Sequence, residues 1–228
     1  MNTPTDAGQA LAAAARTINQ SQTLDETLQT IAEVARESVP GFDQVGISAL
    51  HKNGKIETKA ATGDLVHRLD DIQYSLGEGP CVDTLHDKVI VEAPDLRHDQ
   101  RWPRYVPRAV AEGLKAQLAV KLYLDDQGTL GGLNIYSTTR EDIDPEAVHT
   151  AELFAAHAAI ALGYAQERQN LNEALHSRKI IGQAIGLVME RYQLPEDRAF
   201  AFLVRASSHA NIKLRDIAQT MVDQANTK

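Results

Sequence analysis

The sequence predicts an α+β domain, built from an antiparallel sheet with flanking helices, that a long coiled-coil helix joins to an all-α unit of three helices. Three observations predict this class. Apolar residues alternate in a hairpin at residues 43–61, and two plain strands flank a turn at residues 116–138, as in an antiparallel sheet. After Pro145, apolar and small residues recur at helical spacing as far as Met189, without an internal proline. Two shorter helical patterns fill residues 195–225.

The first helix carries both a start signal and a stop signal. Thr23 is followed three residues later by Glu26, which is the spacing of a capping box. Pro40 and Gly41 end the helix. The apolar residues between these signals lie at helical spacing: Leu24, Leu28, Ile31, Ala32, Ala35 and Val39. A β-hairpin follows, with Asn53-Gly54 as its favoured two-residue turn.

The middle of the first domain has less regular patterns. Residues 62–87 are hard to assign, except that a glycine-rich corner followed by Pro80 predicts the start of a short helix. A short strand at residues 89–91 and a helix that ends at Gly113 come next. Two plain strands, at residues 116–124 and 130–138, then flank a turn.

The long helix has the features of a connector between two domains. Asp144 is a capping residue and Pro145 occupies the first helical position. Apolar and small residues then alternate at spacings of three and four over about 45 residues, far beyond the usual 8–20. The middle of the helix, YAQERQNLNEALHSRK, is too polar to be buried inside one domain. The spacing therefore predicts a coiled coil and, with it, a homodimer.

Gly182 and Gly186 have the G-x-x-x-G spacing of helices that dimerise in membranes. The uncharged run around them, Ile180–Met189, would span only about 15 Å at 1.5 Å per residue. A membrane span needs about 20 apolar residues, so no membrane segment is predicted. Two glycines one turn apart form a flat strip that another backbone can approach closely. One interpretation, which we favour, is that a following helix packs on this strip.

The net charge of −8 is distributed unevenly. Residues 1–165 contain 14 basic and 24 acidic side chains, whereas residues 166–228 contain nine basic and seven acidic ones. The larger part of the chain therefore repels a phosphate backbone, and the C-terminal part does not. If the chain binds nucleic acid, the C-terminal part is where it does so.

The sequence offers little chemistry for catalysis or metal binding. Cys81 is the only cysteine, so an internal disulfide and a cysteine-based zinc site are both excluded. His98 lies near Asp95 and Asp99, but this polar loop has no accompanying nucleophile. No enzyme activity, no cofactor and no metal are expected. The N-terminus lacks the pattern of a signal peptide, and together with the lone cysteine this predicts a cytoplasmic protein.

The C-terminal residues resemble the ANTAR domain, a three-helix RNA-binding module of bacterial transcription antiterminators. The resemblance covers nearly all of residues 170–225. Its matching residues are Ser177-Arg178, Ile181-Gly182-Gln183-Ala184, Gly186, Met189, Glu196, Ala199-Phe200, Leu203, Arg205-Ala206-Ser207 and Asn211 through Ala218. Many ANTAR sequences have a basic residue between Ala184 and Gly186, where this chain has Ile185.

The preceding residues resemble the GAF domain, a small-molecule sensor fold with an antiparallel sheet between helices. The resemblance covers about residues 20–165. It rests on Gly77 through Cys81, Asp95-Leu96, Arg101-Trp102-Pro103, Gly113-Leu114 and Leu130 through Ser137. The Asn-Lys-x-x-Phe type of motif found in cyclic-nucleotide-binding GAF domains does not occur. A methionine-sulfoxide-reducing GAF enzyme needs several cysteines, and this chain has one.

The two resemblances together imply a GAF-ANTAR transcription antitermination regulator with three segments. Residues 1–19 would form a flexible or helical N-terminal segment, residues 20–165 a GAF-like sensor domain, and residues 166–228 an ANTAR-like RNA-binding domain. The sensor would respond to a small ligand or a partner, and the ANTAR-like domain would bind stem-loops in nascent transcripts. The sequence assigns no residue to a contact with RNA polymerase.

The residue types around the ANTAR resemblance suit an RNA site, because Lys and Arg bind phosphates while Ser, Asn and Gln reach base edges and sugars. The candidate RNA-binding residues are Arg178, Lys179, Gln183, Gly186, Ser207, Ser208, Asn211, Lys213 and Arg215. RNA on the glycine strip is the second interpretation of Gly182 and Gly186. Arg191 fits an RNA contact and a helix C-terminal cap equally well. The candidate ligand-binding residues of the GAF-like domain are Gly79, Cys81, Trp102 and Asn134.

A different class of function stays open beside this one. The protein could be a ligand-gated protein–protein interaction regulator that binds no nucleic acid, with its C-terminal helices docked on a partner. A basic exposed face around Arg178, Lys213 and Arg215 favours RNA, and an apolar face favours protein.

Overall fold

The computed structural model describes residues 23–226. The N-terminal segment predicted at residues 1–19 lies outside them. The chain divides into two compact units, Met1–Ala165 and Gln166–Lys228, called unit 1 and unit 2 below.

Unit 1 is built on one five-stranded sheet in the order β2-β1-β5-β4-β3, with every neighbouring pair antiparallel. This confirms the predicted antiparallel sheet. The strands are β1 (Gln44–Leu50), β2 (Ile56–Ala61), β3 (Ile90–Ala93), β4 (Ala116–Leu124) and β5 (Gly128–Ser137).

Helices flank the sheet, as predicted. They are α1 (Leu24–Ser38), α2 (Asp64–Leu76), α3 (Pro80–His86) and α4 (Tyr105–Ala111), with one short 3-10 turn at Leu96–His98. Thr23 accepts a hydrogen bond from the backbone N–H of Glu26 at 3.2 Å, and the Glu26 carboxylate accepts one from the Thr23 N–H at 3.1 Å. The predicted capping box is therefore confirmed, and α3 begins at Pro80 as predicted.

The two faces of the sheet are covered differently. Leu118, Val120 and Leu122 of β4 face α1 and the beginning of the long helix, in a cluster of aliphatic side chains. The opposite face carries Gln117, Asn134 and Tyr136 and is covered by α2, α3 and α4. Alternation along the strands therefore separates an aliphatic core from a polar one.

The hairpin loop differs from the predicted two-residue turn. His51 and Lys55 still pair through their backbones at 2.8 Å, so the loop contains the three residues Lys52, Asn53 and Gly54. A two-residue turn of the Asn-Gly type needs positive φ at both positions. Here Gly54 has φ +80, but Asn53 does not have a positive φ.

The long helix α5 (Pro145–Tyr192) contains 48 residues, which confirms the predicted long helix. Asp144 accepts the backbone N–H of Glu146 at 2.9 Å and so caps its start. Unit 2 consists of the last part of α5 together with α6 (Glu196–Ala210) and α7 (Leu214–Asn226). Its core is small and aliphatic, with the buried residues Ile180, Ala184, Val188, Ala199, Leu203, Ala218 and Val222.

Candidate nucleic-acid interface

Four of the candidate RNA-binding residues lie on the outward face of α5. Ile180, Ala184 and Val188 recur every four residues on α5 and are buried in the core of unit 2. At 3.6 residues per turn the opposite side of the helix points outward. The exposed residues of this side include Arg178, Lys179, Gln183 and Gly186.

The glycine strip is on this outward side too. Gly182 and Gly186 are exposed, and a Cβ built at either glycine would meet no atom of the described residues within 4 Å. The interpretation that a following helix packs on the strip is therefore wrong. The reason is geometric: α6 and α7 pack on the face of Ile180 and Ala184, about half a turn away.

The other candidates lie at the corner between α6 and α7. Asn211 ends α6 in the left-handed conformation, at φ 53 and ψ 39. The Ser207 hydroxyl donates a 2.6 Å hydrogen bond to the Ile212 carbonyl and so holds the corner together. The carbonyl of Lys213 accepts the N–H groups of Asp216 and Ile217, which starts α7. Ser208, Asn211 and Lys213 remain exposed.

Arg215 lies on the first turn of α7. Its guanidinium is 3.2 Å from the Asp216 carboxylate, and its side chain is 49% exposed. It also lines a groove between α7 and α5, opposite Asn172 and His176. The candidate residues thus form two groups in unit 2, one on the outward face of α5 and one at the α6–α7 corner.

The cations of the two units have different surroundings. Among the described residues of unit 1, five of seven arginines pair with a carboxylate within 4 Å, namely Arg68, Arg97, Arg101, Arg104 and Arg140. In unit 2, Arg215 alone of six described arginines does so. Arg178, Lys179 and Lys213 have no carboxylate partner in the described part of the chain. Their charge is therefore available to an external anion.

Arg191 lies beside an aromatic pair at the end of α5. Its guanidinium carbon is 5.9 Å from the centre of the Tyr192 ring, and that ring lies 5.4 Å from the Phe202 ring. A cation within about 6 Å of an aromatic face is weakly attracted to it. This contact between neighbouring side chains was not expected from the sequence.

The structure brings together two of the four candidate ligand residues of unit 1. The Asn134 side-chain nitrogen lies 3.1 Å from the Cys81 sulfur and 3.3 Å from the Ser48 hydroxyl. Gly79, at φ +132, packs against the Gln73 side chain. Trp102 lies apart from them in an apolar cluster, with the Arg101 guanidinium 4.3 Å from its ring centre.

A hydrogen-bonded polar network that sequence reasoning missed surrounds Cys81 and Asn134. The Tyr105 hydroxyl donates to Gln117 at 2.6 Å, and Gln117 donates to Gln73 at 3.3 Å. Gln73 donates to the Tyr136 hydroxyl at 3.2 Å. The Tyr136 hydroxyl in turn donates to the buried Asp70 carboxylate. The sequence does carry one signal for this network. Gln117 and Tyr136 alternate with aliphatic residues along β4 and β5, so their side chains lie on the face of the sheet opposite to the aliphatic core.

Burial controls the protonation of this network. Burial raises the pKa of Asp70 from 3.8 to about 6, although hydrogen bonds from Thr58 and Tyr136 oppose the rise. Burial, with the nearby Asp70 charge, raises the pKa of the Cys81 thiol to about 12. Cys81 is therefore a protonated thiol at neutral pH and not a reactive thiolate.

Two polar atoms in this region have no partner. The Tyr74 hydroxyl and the Asn134 side-chain oxygen are buried without a hydrogen bond to any described residue. A buried polar group without a partner is destabilising by about 1–3 kcal/mol.

In residues 23–226, no three His, Cys, Asp or Glu side chains converge as a metal site would require. In the same residues, no helix combines the length and the apolar character needed to cross a membrane.

Comparison with known proteins identifies both units. A family model described as "GAF domain" matches residues 21–163, and one described as "ANTAR domain" matches residues 169–222. Both models describe regulatory rather than catalytic domains. No curated protein matches the chain.

Solved structures agree on the fold of unit 1. The GAF domain of an Acinetobacter phosphoenolpyruvate-protein phosphotransferase is similar at a TM-score of 0.60 and 16% identity, covering 75% of this chain and 99% of that one. The corresponding domain from Coxiella burnetii gives 0.60 and 16%, covering 74% and 99%. A type II free methionine-R-sulfoxide reductase from Thermoplasma acidophilum gives 0.50 and 20%, covering 61% and 95%.

At these identities the similar structures establish the fold alone, and the family models carry the assignment. The first model covers more than half of the chain, and the second covers most of unit 2. The chain therefore belongs to the GAF-domain family and has the GAF-ANTAR architecture, with an ANTAR domain after its GAF domain.

Proposed function

We propose that the protein is a signal-responsive regulator of transcription antitermination that binds RNA stem-loops in nascent transcripts through unit 2. A GAF domain followed by an ANTAR domain supports a regulator of the antitermination type. The RNA stem-loop as the ligand and the control by unit 1 are the parts that we propose.

One observation carries the RNA-binding proposal: the six described arginines of unit 2 are exposed and only one pairs with a carboxylate, whereas five of the seven described arginines of unit 1 are paired. A phosphate backbone is bound chiefly by Lys and Arg that release its counterions. Cations already neutralised by carboxylates contribute little to such binding. The net charge of +2 over residues 166–228, against −10 over residues 1–165, acts in the same direction.

Each candidate residue has a role that fits its surroundings. Arg178, Lys179 and Lys213, which have no carboxylate partner in the described residues, would contact phosphates. Arg215, which is paired to Asp216, would contact the RNA from the groove between α5 and α7. The exposed amide and hydroxyl groups would reach base edges or ribose, and they belong to Gln183, Ser208 and Asn211, with Ser207 shaping the corner through its bond to Ile212. Gly186 would let the RNA backbone approach α5 closely, because no side chain covers it.

Unit 1 would act as the sensor. Its polar core contains Cys81, Asn134 and the unpartnered atoms described above, so a small polar ligand would bind there, beside the buried Gly79. Trp102 lies apart from this group, in the apolar cluster. Ligand binding shifts a conformational equilibrium only by its difference in affinity for the two states. The ligand would therefore favour one arrangement of the polar core, and α5 would carry this change to unit 2. No resident cofactor is proposed.

A homodimer would form along α5. Leu171 and Leu175 are 60% and 55% exposed on the part of α5 that belongs to unit 2. They continue the spacing of three and four that is typical of a two-stranded coiled coil. Covering such side chains gains about 25 cal/mol per Å² of apolar area. Two copies would place two ANTAR domains on neighbouring stem-loops, in the cytoplasm where transcripts are made.

A second function is favoured by one observation. Phe200, Val204 and Ile212 are large apolar side chains that remain exposed on α6 and at the α6–α7 corner. They suit a protein partner, so a ligand-gated regulator that binds protein and no nucleic acid is the alternative.

Crosslinking the protein to RNA in cells and sequencing the recovered RNA distinguishes the two functions. We expect stem-loop sequences to be enriched, and the enrichment to fall when Lys179→Ala and Lys213→Ala are combined. Arg97→Ala, which removes a paired cation of unit 1, is the matched control and should recover the same RNA as wild type. Recovery of no RNA above background would leave the protein-partner function as the better one.

A further inference from the structure

The groove between α5 and α7 has an apolar floor and a polar rim. Ile180, which is 7% exposed, forms the floor. Asn172, His176 and Ser177 on α5 line one wall, and Arg215 on α7 lines the other. The groove encloses about 420 Å³, within the range of about 300–1,000 Å³ typical of small-molecule sites. It therefore has room for one flat ring but not for a helical stem.

Much of the hydrogen-bonding capacity of this groove is unused. The side chains of Asn172, His176 and Ser177 make no hydrogen bond to any described residue. Glu173 accepts one hydrogen bond from Gln169 at 3.0 Å and keeps its other carboxylate oxygen. Donors and acceptors therefore surround an apolar surface, which is the combination that holds a planar polar ring by its face and its edge.

The charges of the groove exclude a phosphate as its occupant. The carboxylates of Glu173 and Asp216 lie on the rim, with Arg215 as the one cation, already paired to Asp216. The exposed cations without a carboxylate partner, including Lys179 and Lys213, are not among the residues that line it. A phosphate would approach two negative charges here, and like charges repel. An uncharged ring carries no such penalty.

We propose that this groove binds one unpaired base of an RNA loop, and that it prefers adenine, cytosine or guanine to uracil. Carboxylate oxygens accept hydrogen bonds and do not donate them. The exocyclic amino group of adenine, cytosine or guanine carries two N–H donors, one for each carboxylate, whereas the pairing edge of uracil offers one ring N–H between two carbonyl oxygens that the carboxylates repel. Glu173 and Asp216 receive the amino group, the His176 ring stacks on the base, and Asn172 contacts the remaining edge.

This site rests on the proposed RNA-binding function and adds base recognition to it. Phosphate contacts position an RNA but carry no sequence information, whereas base contacts specify it. The exposed cations of unit 2 thus supply affinity for any stem-loop, and the groove supplies the preference for one loop base.

The proposed base-binding role of the groove is tested in two steps: RNA hairpins are first selected, and the effect of an abasic nucleotide is then compared between wild type and groove variants. The full chain first selects from RNA hairpins that have a fixed stem and eight randomised loop positions. We expect one loop position to exclude uracil. Replacing that nucleotide by an abasic one should weaken wild-type binding about 10-fold or more, the size of one good base contact. The loss should persist at high salt, because the contact is not ionic.

Groove variants provide the comparison in the second step. In Asn172→Ala and His176→Ala the base contact is already lost, so the same abasic replacement should weaken binding less than about 3-fold. Both positions are exposed on α5, where alanine favours the helix. Gln224→Ala, at an exposed amide of α7 outside the groove, should keep the full wild-type loss.

Three outcomes would each overturn a different claim. If both groove variants keep the full abasic penalty, the base binds elsewhere and the groove assignment is overturned. If every loop position accepts uracil equally, base recognition by the groove is overturned. If no hairpin is enriched over the starting pool, the proposed RNA-binding function itself fails.

Discussion

Units 1 and 2 use their polar residues in opposite ways. In unit 1 the polar side chains turn inward, in a network from Tyr105 to Asp70, and most arginines are neutralised at the surface. In unit 2 the buried core is entirely aliphatic, and the polar and basic groups point outward. This difference is the one that the proposed function uses, with unit 1 as the proposed sensor and unit 2 as the proposed RNA-binding part.

The glycines of the two units also differ in their surroundings, because one is enclosed by the fold and two are open to solvent. A Cβ at Gly131 of β5 would lie 1.8 Å from the Ser48 carbonyl oxygen, so this glycine is required by the packing of the sheet. A Cβ at Gly182 or Gly186 would meet nothing in the described residues. Each helical glycine costs about 1 kcal/mol relative to alanine. No contact within the described residues of unit 2 requires these two glycines, which is consistent with the proposed close approach of RNA.

The largest change in the free energy of unfolding is expected when Gly131 is replaced by alanine, and the matching replacement of Gly186 should act in the opposite direction. Gly131→Ala should destabilise unit 1 by about 3 kcal/mol or more, because a backbone oxygen occupies the space of the new methyl group. Gly186→Ala should instead stabilise unit 2 by up to about 1 kcal/mol. Urea unfolding of both variants, followed by circular dichroism, measures the two changes. A destabilised Gly186→Ala variant would show that something in the chain covers the strip after all.

The buried Asp70 should make the stability of unit 1 depend on pH. Its pKa is raised from 3.8 to about 6, so the folded state holds the proton more tightly than the unfolded state does. Its stabilising effect is complete below about pH 4 and is lost as the pH rises through 6. The pKa difference corresponds to about 3 kcal/mol.

Asp70→Asn tests this dependence. The stability of the variant relative to wild type should rise by about 2 kcal/mol between pH 4 and pH 6.5, because the amide does not titrate. Urea midpoints at four pH values across this interval measure it. Asp71→Asn, at the exposed neighbouring position, is the control. Parallel profiles for wild type and Asp70→Asn would contradict the raised pKa.

The outward face of α5 should affect assembly and not stability. Combining Leu171→Glu with Leu175→Glu should weaken the proposed homodimer about 10-fold or more, because two carboxylates replace apolar seam residues. Unit 2 should keep its stability, since both side chains are exposed. Sedimentation equilibrium gives the dissociation constant. Val204→Glu, at an exposed apolar position of α6, should leave the dimer intact; the same loss there would point to a different interface.

The smallest effect is expected from removing one exposed cation, Lys213, and it concerns the affinity for a stem-loop. Lys213→Ala should weaken stem-loop binding a few-fold and reduce the slope of log affinity against log salt by about 1. Arg97→Ala should change neither quantity, because Glu141 already neutralises Arg97 at 2.6 Å. Fluorescence anisotropy with a labelled hairpin measures both. Equal effects of the two variants would remove the distinction between paired and unpaired cations.

Local signals explain how much of the fold was predictable. Thr23 with Glu26, Pro80, and Asp144 with Pro145 mark helix starts through contacts within a few residues, and all three starts were predicted correctly. Helix α2 was not predicted. Its inward face includes the buried polar residues Asp70 and Gln73, which interrupt the apolar period, and Gly63 provides no side-chain cap.

The candidate sites were less predictable, because their partners are distant in sequence. Gln73 bonds to Gln117 and Tyr136, which are 44 and 63 residues away. The sequence marked Gly182 and Gly186 as unusual but could not show which face of α5 the other helices would occupy. Arg178, Lys179 and Lys213 were identified from residue type and family resemblance, and their lack of carboxylate partners emerged only from the folded structure.

The most direct test is the salt dependence of stem-loop binding by the full chain and by a variant with alanine at Arg178, Lys179 and Lys213. With about 0.7–0.9 counterions released per phosphate contact, three contacts predict a wild-type slope of about −2.5 for each ANTAR domain. The variant should bind far more weakly, with a slope near zero. If the affinity of the wild type did not depend on salt concentration, or if the variant kept the wild-type slope, RNA binding by the exposed cations of unit 2 would be contradicted.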